Sequence, residues 1–135
     1  MTETSSILVD TNIILDVCGQ DERWVDWSQE QMGQYVGRLI INPVIYAELC
    51  YEARTVADVD ALLSALGLHF TELPRQALFL TSQVYKIYRN RGGAKVSPLP
   101  DFFIGAHAAT LEIPILTRDI ARYKTYFPSV TLINP

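Results

Sequence analysis

Two cysteines and two histidines among 135 residues leave little from which to build a thiol or imidazole centre. Cys18 and Cys50 stand apart, with no Cys-x-x-Cys pair and no Cys/His cluster, which argues against a zinc site and against a disulfide framework. Both thiols are expected to pack as small core residues. Long apolar runs are also missing: Leu39–Ile41 and residues 77–80 fall far short of the ~20 residues needed to span a bilayer. Residues 1–6 have neither the basic start nor the apolar stretch of a signal peptide, so a cytoplasmic location is expected. No Ser/Gly-rich tract, charge run or internal repeat divides the chain, and residues 1–135 are read as a single domain.

What the chain does have is apolar content, 49% of residues, enough for a real core at this length. The net charge of −4 is unlike that of a typical nucleic-acid binder, but the charge is unevenly distributed. Residues 1–85 hold 4 basic and 12 acidic groups, whereas residues 86–135 hold 7 basic and 3 acidic ones. If the C-terminal part forms one face, it offers a phosphate backbone a positive surface.

Short β-branched and aliphatic runs alternate with helical patterns. Ile7-Leu8-Val9 reads as a buried strand delivering Asp10 at its C-terminal end, with a helix opening over 13–17. Residues 24–36 carry Val25, Met32 and Val36 at helical spacing beside a second stripe of Trp24, Trp27, Gln31 and Tyr35, and Gly37 closes that helix. The aromatics Trp24, Trp27 and Tyr35 are read as core, with a groove for a partner helix as the alternative. Leu39-Ile40-Ile41 is a second strand, followed by Asn42 as cap and Pro43 at the first position of a helix over 44–53. A helix over 55–66 stops at Gly67, and 68–73 is a loose strand. A long helix over 75–91 has Leu78, Val84, Ile87 and Tyr88 as buried candidates and ends at Gly92-Gly93. The loop over 92–100 leads to an almost wholly apolar helix over 102–111, then strands over 113–117 and 130–133. The pattern is that of an α/β protein: a three-layer α/β/α arrangement around a mostly parallel sheet of four or five strands.

Ligands of such sheets sit beyond the carboxyl ends of the strands. Asp10 and Asp119 each follow a strand run, so both are expected at that edge. Glu48 has Val44 and Ile45 at i−4 and i−3 and Tyr51 at i+3, a largely apolar face for a charged group. Asp101 heads a helix that bears no further charge, and its same-face neighbours Gly105 and Ala108 leave room for close approach. Taken singly, each acid has a bland account as turn former, cap or surface charge. Jointly they imply mutually repelling carboxylates that a divalent cation would relieve, and an all-oxygen donor set favours magnesium or manganese. His107 lies on a different helical face from Asp101 and is read as structural.

The stretches Leu8-Val9-Asp10-Thr11-Asn12-Ile13-Ile14-Leu15-Asp16, Asn42-Pro43-Val44-Ile45-Tyr46-Ala47-Glu48-Leu49, Pro100-Asp101-Phe102-Phe103-Ile104-Gly105-Ala106-His107-Ala108 and Leu116-Thr117-Arg118-Asp119 occur in that order. Together they resemble the PIN-domain ribonucleases, and within them the VapC toxins of bacterial and archaeal toxin–antitoxin pairs. The resemblance implies a PIN-like fold and endoribonuclease activity on single-stranded RNA. It implies that Asp10, Glu48, Asp101 and Asp119 are the catalytic and metal carboxylates for magnesium or manganese, and that Asn12 and Thr117 support them. A cognate antitoxin and a homodimer are implied as partners. Arg89, Arg91, Lys95 and Arg118 are candidate phosphate contacts. A housekeeping RNA-processing nuclease without an antitoxin, or a PIN-like module that binds RNA or protein without cutting, is the alternative. A phosphotransfer receiver or a haloacid-dehalogenase-like phosphatase also places aspartates at strand ends, but Asp10-Thr11-Asn12 fits neither motif well.

Overall fold

A computed structural model of the chain describes residues 5–19, 21–95 and 99–135. Residues 1–4 of the N-terminal stretch and 96–98 of the loop before Asp101 lie outside the described residues. The order of elements is β1 (Ile7–Val9), α1 (Thr11–Gly19), α2 (Val25–Gln34), β2 (Leu39–Ile41), α3 (Pro43–Cys50), α4 (Val56–Leu66), β3 (His69–Phe70), α5 (Arg75–Asn90), α6 (Pro100–Leu111), β4 (Ile115–Leu116), α7 (Ala121–Tyr126) and β5 (Leu132–Ile133). All five strands are parallel and run β3-β2-β1-β4-β5 across the sheet.

The three central strands are short and wholly apolar because both of their faces are covered. Ile7, Leu8, Val9, Leu39, Ile40, Ile41, Ile115 and Leu116 are all buried. The edge strands bear the opposite signature: His69 and Phe70 are exposed, and Leu132 and Ile133 are half-buried. The chain winds outward from β1 through β2 to β3, then returns to the other side of β1 to lay down β4 and β5. This reversal makes the C-terminal edge between β1 and β4 the switch point of the sheet. Asp10 follows β1 there, Asn42 follows β2 and Thr117 follows β4.

Local chemistry sets the helix ends that frame this edge. The Asn42 side chain accepts hydrogen bonds from the backbone N–H groups of Val44 and Ile45, with Pro43 opening α3 as the sequence pattern requires. Its amide nitrogen lies 3.1 Å from His107 Nδ1 in α6. Since the Asn42 oxygen is committed to two donors, the amide donates and Nδ1 accepts, which leaves the His107 proton on Nε2. Burial holds the His107 pKa below its ordinary value, and Nε2 has no partner among the described residues. His107 thus acts as a structural tie between α3 and α6. Gly67 ends α4 at φ 68°, the left-handed conformation a glycine cap supplies without steric cost.

Several sequence expectations need correction. Cys18 is exposed, whereas Cys50 is half-buried and packs against the core, so only Cys18 departs from the expectation. Leu78 and Ile87 are exposed, and the inward face of α5 is carried by Ala77, Thr81 and Val84. Trp24 immediately precedes α2 and lies half-buried against Arg118, while Trp27 and Tyr35, also half-buried, do pack against the core as read. Helix α7 was not anticipated: its six residues read Ala-Arg-Tyr-Lys-Thr-Tyr, with only Tyr123 buried, too short a segment to show an apolar stripe.

Gly105 of α6 is where this helix meets the end of α7. A Cβ added there would collide with the ring of Phe127, which is itself buried. Gly105→Ala is therefore expected to destabilise the fold by roughly 1–3 kcal/mol, an overpacking cost, with a lower urea midpoint at unchanged slope. An unchanged midpoint would mean that α6 and Phe127 separate freely.

Candidate active site

Asp10 is the most deeply buried of the four predicted carboxylates, at 5% exposure. Its Oδ1 accepts from the backbone N–H of Thr11 at 2.8 Å. Its Oδ2 accepts from the Thr117 hydroxyl at 2.8 Å, the Tyr123 hydroxyl at 2.9 Å and, at a longer 3.4 Å, the Asn12 amide. Burial raises its pKa, while the Thr117, Tyr123 and Thr11 bonds work in the opposite direction and Glu48 adds to the rise. Burial and the nearby negative charge also push the Tyr123 hydroxyl upward, so it remains a donor.

The other acids surround this anchor at graded depths. Glu48 projects from α3 half-buried, and its Oε1 accepts from the Thr11 hydroxyl. Asp101, in the first turn of α6, has a side chain 29% exposed. Asp119 is exposed, and its backbone N–H donates to the Thr117 hydroxyl oxygen at 3.0 Å. Asp101 reports most directly that the four belong to one field. Burial raises its pKa to about 6, reinforced by the charges of Asp10, Asp119 and Glu48 and opposed by Arg122. Among the described residues no three acids form a ready-made cluster of metal ligands. The acids share an electrostatic field without a closed coordination shell.

Asn12 and Thr117 both hydrogen-bond to Asp10. The Asn12 amide also reaches the Thr117 hydroxyl at 3.3 Å, and its oxygen accepts from the backbone N–H of Arg118 at 3.1 Å. The candidate phosphate contacts divide. Arg118 is already committed: its guanidinium donates twice to Asp16, at 2.7 and 2.8 Å, and lies 5.0 Å from the centre of a Trp24 ring. Asp16 also accepts from Ser28 at 2.7 Å, so this pair locks α1, α2 and the segment after β4 together. Arg89 donates to the Lys95 carbonyl at 2.9 Å, and Arg89 and Lys95 are exposed at the end of α5. The Arg91 guanidinium lies over the Tyr126 ring.

Four contributors were not read from the sequence: Thr11, Asp16, Arg122 and Tyr123. Asp16 lies four residues from Asn12 on α1, so helical spacing was the available signal for it, whereas Tyr123 sits in α7, which shows no pattern of its own in the sequence. Arg122 lines a shallow hollow of about 400 Å³ together with Tyr88, Asp101, Asp119, Ala121, Thr125 and Tyr126.

The fold and the edge define a class: a parallel α/β protein with a buried, hydrogen-bonded carboxylate, Asp10, at the reversal of its sheet. The chain belongs to the PIN domain family, whose model matches residues 7–128. A search of curated proteins found no match. Among solved structures the chain is similar to DNA-bound VapBC from Salmonella typhimurium, with TM-score 0.71 and 20% identity over 97% of this chain and 98% of that one. It is similar to VapBC2 from Rickettsia felis bound to a promoter DNA fragment, with TM-score 0.68 and 17% identity over 95% and 97% of the two chains. It is also similar to a toxin–antitoxin complex from Klebsiella pneumoniae, with TM-score 0.68 and 18% identity over 93% and 96%. At these identities the likeness is one of fold.

The raised Asp101 pKa has a consequence for stability. In the unfolded chain this carboxyl ionises near 3.8, and in the folded, metal-free protein near about 6. Its contribution is therefore complete below pH 3.8 and is lost as pH rises through about 6. Asp101→Asn is expected to be more stable than the parent at pH 7.5 in chelator, by on the order of 1 kcal/mol after solvent screening, with the gap closing toward pH 4. Urea unfolding across this range reads the gap, and a pH-independent difference would show that Asp101 feels no such field.

Proposed function

We propose that this protein is a metal-dependent endoribonuclease, the toxin of a toxin–antitoxin pair, that hydrolyses single-stranded regions of RNA. The observation that carries the reading is the Asp10 carboxylate held at the end of β1 by Thr11, Thr117 and Tyr123, with Glu48 tied to the hydroxyl of the same Thr11. The upward shift of the Asp101 pKa, by burial and by the charges of Asp10, Asp119 and Glu48, supports it. Membership of the PIN domain family supports it, and so does the fold shared with VapBC structures. A cognate antitoxin is the proposed partner and a homodimer the proposed assembly, whose elution as a monomer on a sizing column would remove that part.

The donor set suits a hard divalent ion. It is all oxygen, with no thiol or imidazole among the four, and the acids raise rather than relieve one another's pKa. Among the described residues, Asp10 Oδ1 accepts one protein hydrogen bond and retains a lone pair, as does the Glu48 carboxylate beyond its bond from Thr11. Asp10, Glu48, Asp101 and Asp119 would hold the ion. Magnesium or manganese, when bound, supplies a Lewis acid for the phosphodiester and acidifies water.

The chain's own residues supply placement. Thr117, Tyr123 and the Thr11 amide fix the Asp10 carboxylate in one orientation, and the Thr11 hydroxyl fixes Glu48. Asp101 and Asp119, more exposed, border the hollow where a strand has access. Hydrolysis adds water to phosphorus and breaks the bond to the 3′ oxygen, which takes up a proton, leaving 5′-phosphate and 3′-hydroxyl ends.

Asp10→Asn preserves shape while removing the charge. It is expected to lower cleavage of a single-stranded RNA by more than about 100-fold, the upper cost of losing a group that merely supports a ligand, with a cooperative urea transition showing that the variant is folded under the assay conditions. Chelator is expected to abolish cleavage and magnesium or manganese to restore it. Full turnover by the variant, or in chelator, would contradict the proposal and favour a module that binds without cutting.

A further inference from the structure

Two arginines flank the acidic edge, and they are held in different ways. Arg118 closes on Asp16 through both arms of its fork. Arg122 approaches Asp101 through one nitrogen only, at 3.8 Å, beyond hydrogen-bond length. Among the described residues, none of its guanidinium N–H groups has a hydrogen-bond acceptor.

Its position is nevertheless constrained. The guanidinium lies 5.9 Å from the centre of the Tyr88 ring and 5.8 Å from that of Phe102, and these rings are themselves packed edge-on at 5.3 Å. Phe102 is buried, so one wall of the seat is part of the core. A guanidinium confined by aromatic walls and lacking acceptors is a planar set of donors already oriented for an oxyanion, with less side-chain entropy left to lose. A residue serving only as counter-ion to Asp101 would gain most by closing to the short paired geometry that Arg118 adopts. Thr125 and Tyr126 border the same hollow, where Asp101 and Asp119 would otherwise repel a nucleic-acid backbone.

We infer that Arg122 is the residue that holds a backbone phosphate of the RNA in the hollow beside Asp101 and Asp119, using its guanidinium fork. The inference rests on the nuclease reading and adds to it a specific binding residue. Arg122 offsets the carboxylates' repulsion of the strand at the point where the strand must come closest to them.

The test measures binding of a fluorescein-labelled, unstructured RNA by anisotropy in magnesium across a salt series, with Asp10→Asn as the uncut background. Adding Arg122→Ala is expected to weaken binding about tenfold at low salt and to reduce the slope of log affinity against log salt by about 0.7, one phosphate contact on a single strand. Arg122→Lys should keep the slope while recovering only part of the affinity, since it retains charge without the fork. Arg75→Ala, at the far end of α5, should leave both unchanged, and urea midpoints check that each variant is folded.

In the otherwise native protein, Arg122→Ala should raise KM more than it lowers kcat. Unchanged affinity and slope in Arg122→Ala, or an equal loss in Arg75→Ala, would overturn the inference while a cleaving parent protein keeps the nuclease reading intact. A parent that neither binds nor cuts RNA would overturn both.

Discussion

The buried carboxylate of Asp10 is the constraint around which the rest of the site is built. A charged group at this depth costs several kcal/mol unless donors surround it, and these donors come from widely separated parts of the chain. Thr11 supplies a backbone N–H from the start of α1, Thr117 a hydroxyl from the end of β4, and Tyr123 a hydroxyl from α7. Satisfying one carboxylate therefore fixes how the central strand, its neighbour and the last helix meet.

A second set of polar ties holds the frame without entering the acidic site. Asp16 joins Ser28 of α2 to Arg118, and Trp24 lies against the same guanidinium. Asn42 caps α3 with its oxygen and uses its amide to reach His107 in α6. Each tie crosses between elements that apolar packing alone would leave free to slide, because hydrophobic contact is not directional. Rigid support of this kind is what a site of repelling charges needs, since any looseness would let the acids move apart.

Much of the framework was legible because it rests on local signals. The runs Ile7-Leu8-Val9 and Leu39-Ile40-Ile41 are apolar on both faces, as central parallel strands require, and Asn42-Pro43 and Gly67 mark helix ends through their own backbone chemistry. Helix α7 was illegible for the converse reason. With six residues and one buried side chain it is held in place by tertiary contacts of Tyr123 and Phe127, not by propensity. The same limit misplaced Cys18, Leu78 and Ile87: hydrophobicity states a preference for burial, whereas the limited area of each helix's inward face decides which residues obtain it.

The amino-acid sequence by itself determined the alternation of strands and helices, the delivery of Asp10 to a strand end, and the all-oxygen character of the candidate acids. These follow from composition and from periods of a few residues. Only the tertiary structure decided that Asp101 feels Asp10, Glu48 and Asp119, that Tyr123 completes the anchoring of Asp10, and that Arg118 is bound to Asp16 while Arg122 faces the hollow. Electrostatic coupling and hydrogen bonding depend on distances of a few ångströms between groups as many as 113 positions apart, and no periodicity along the chain encodes such a distance.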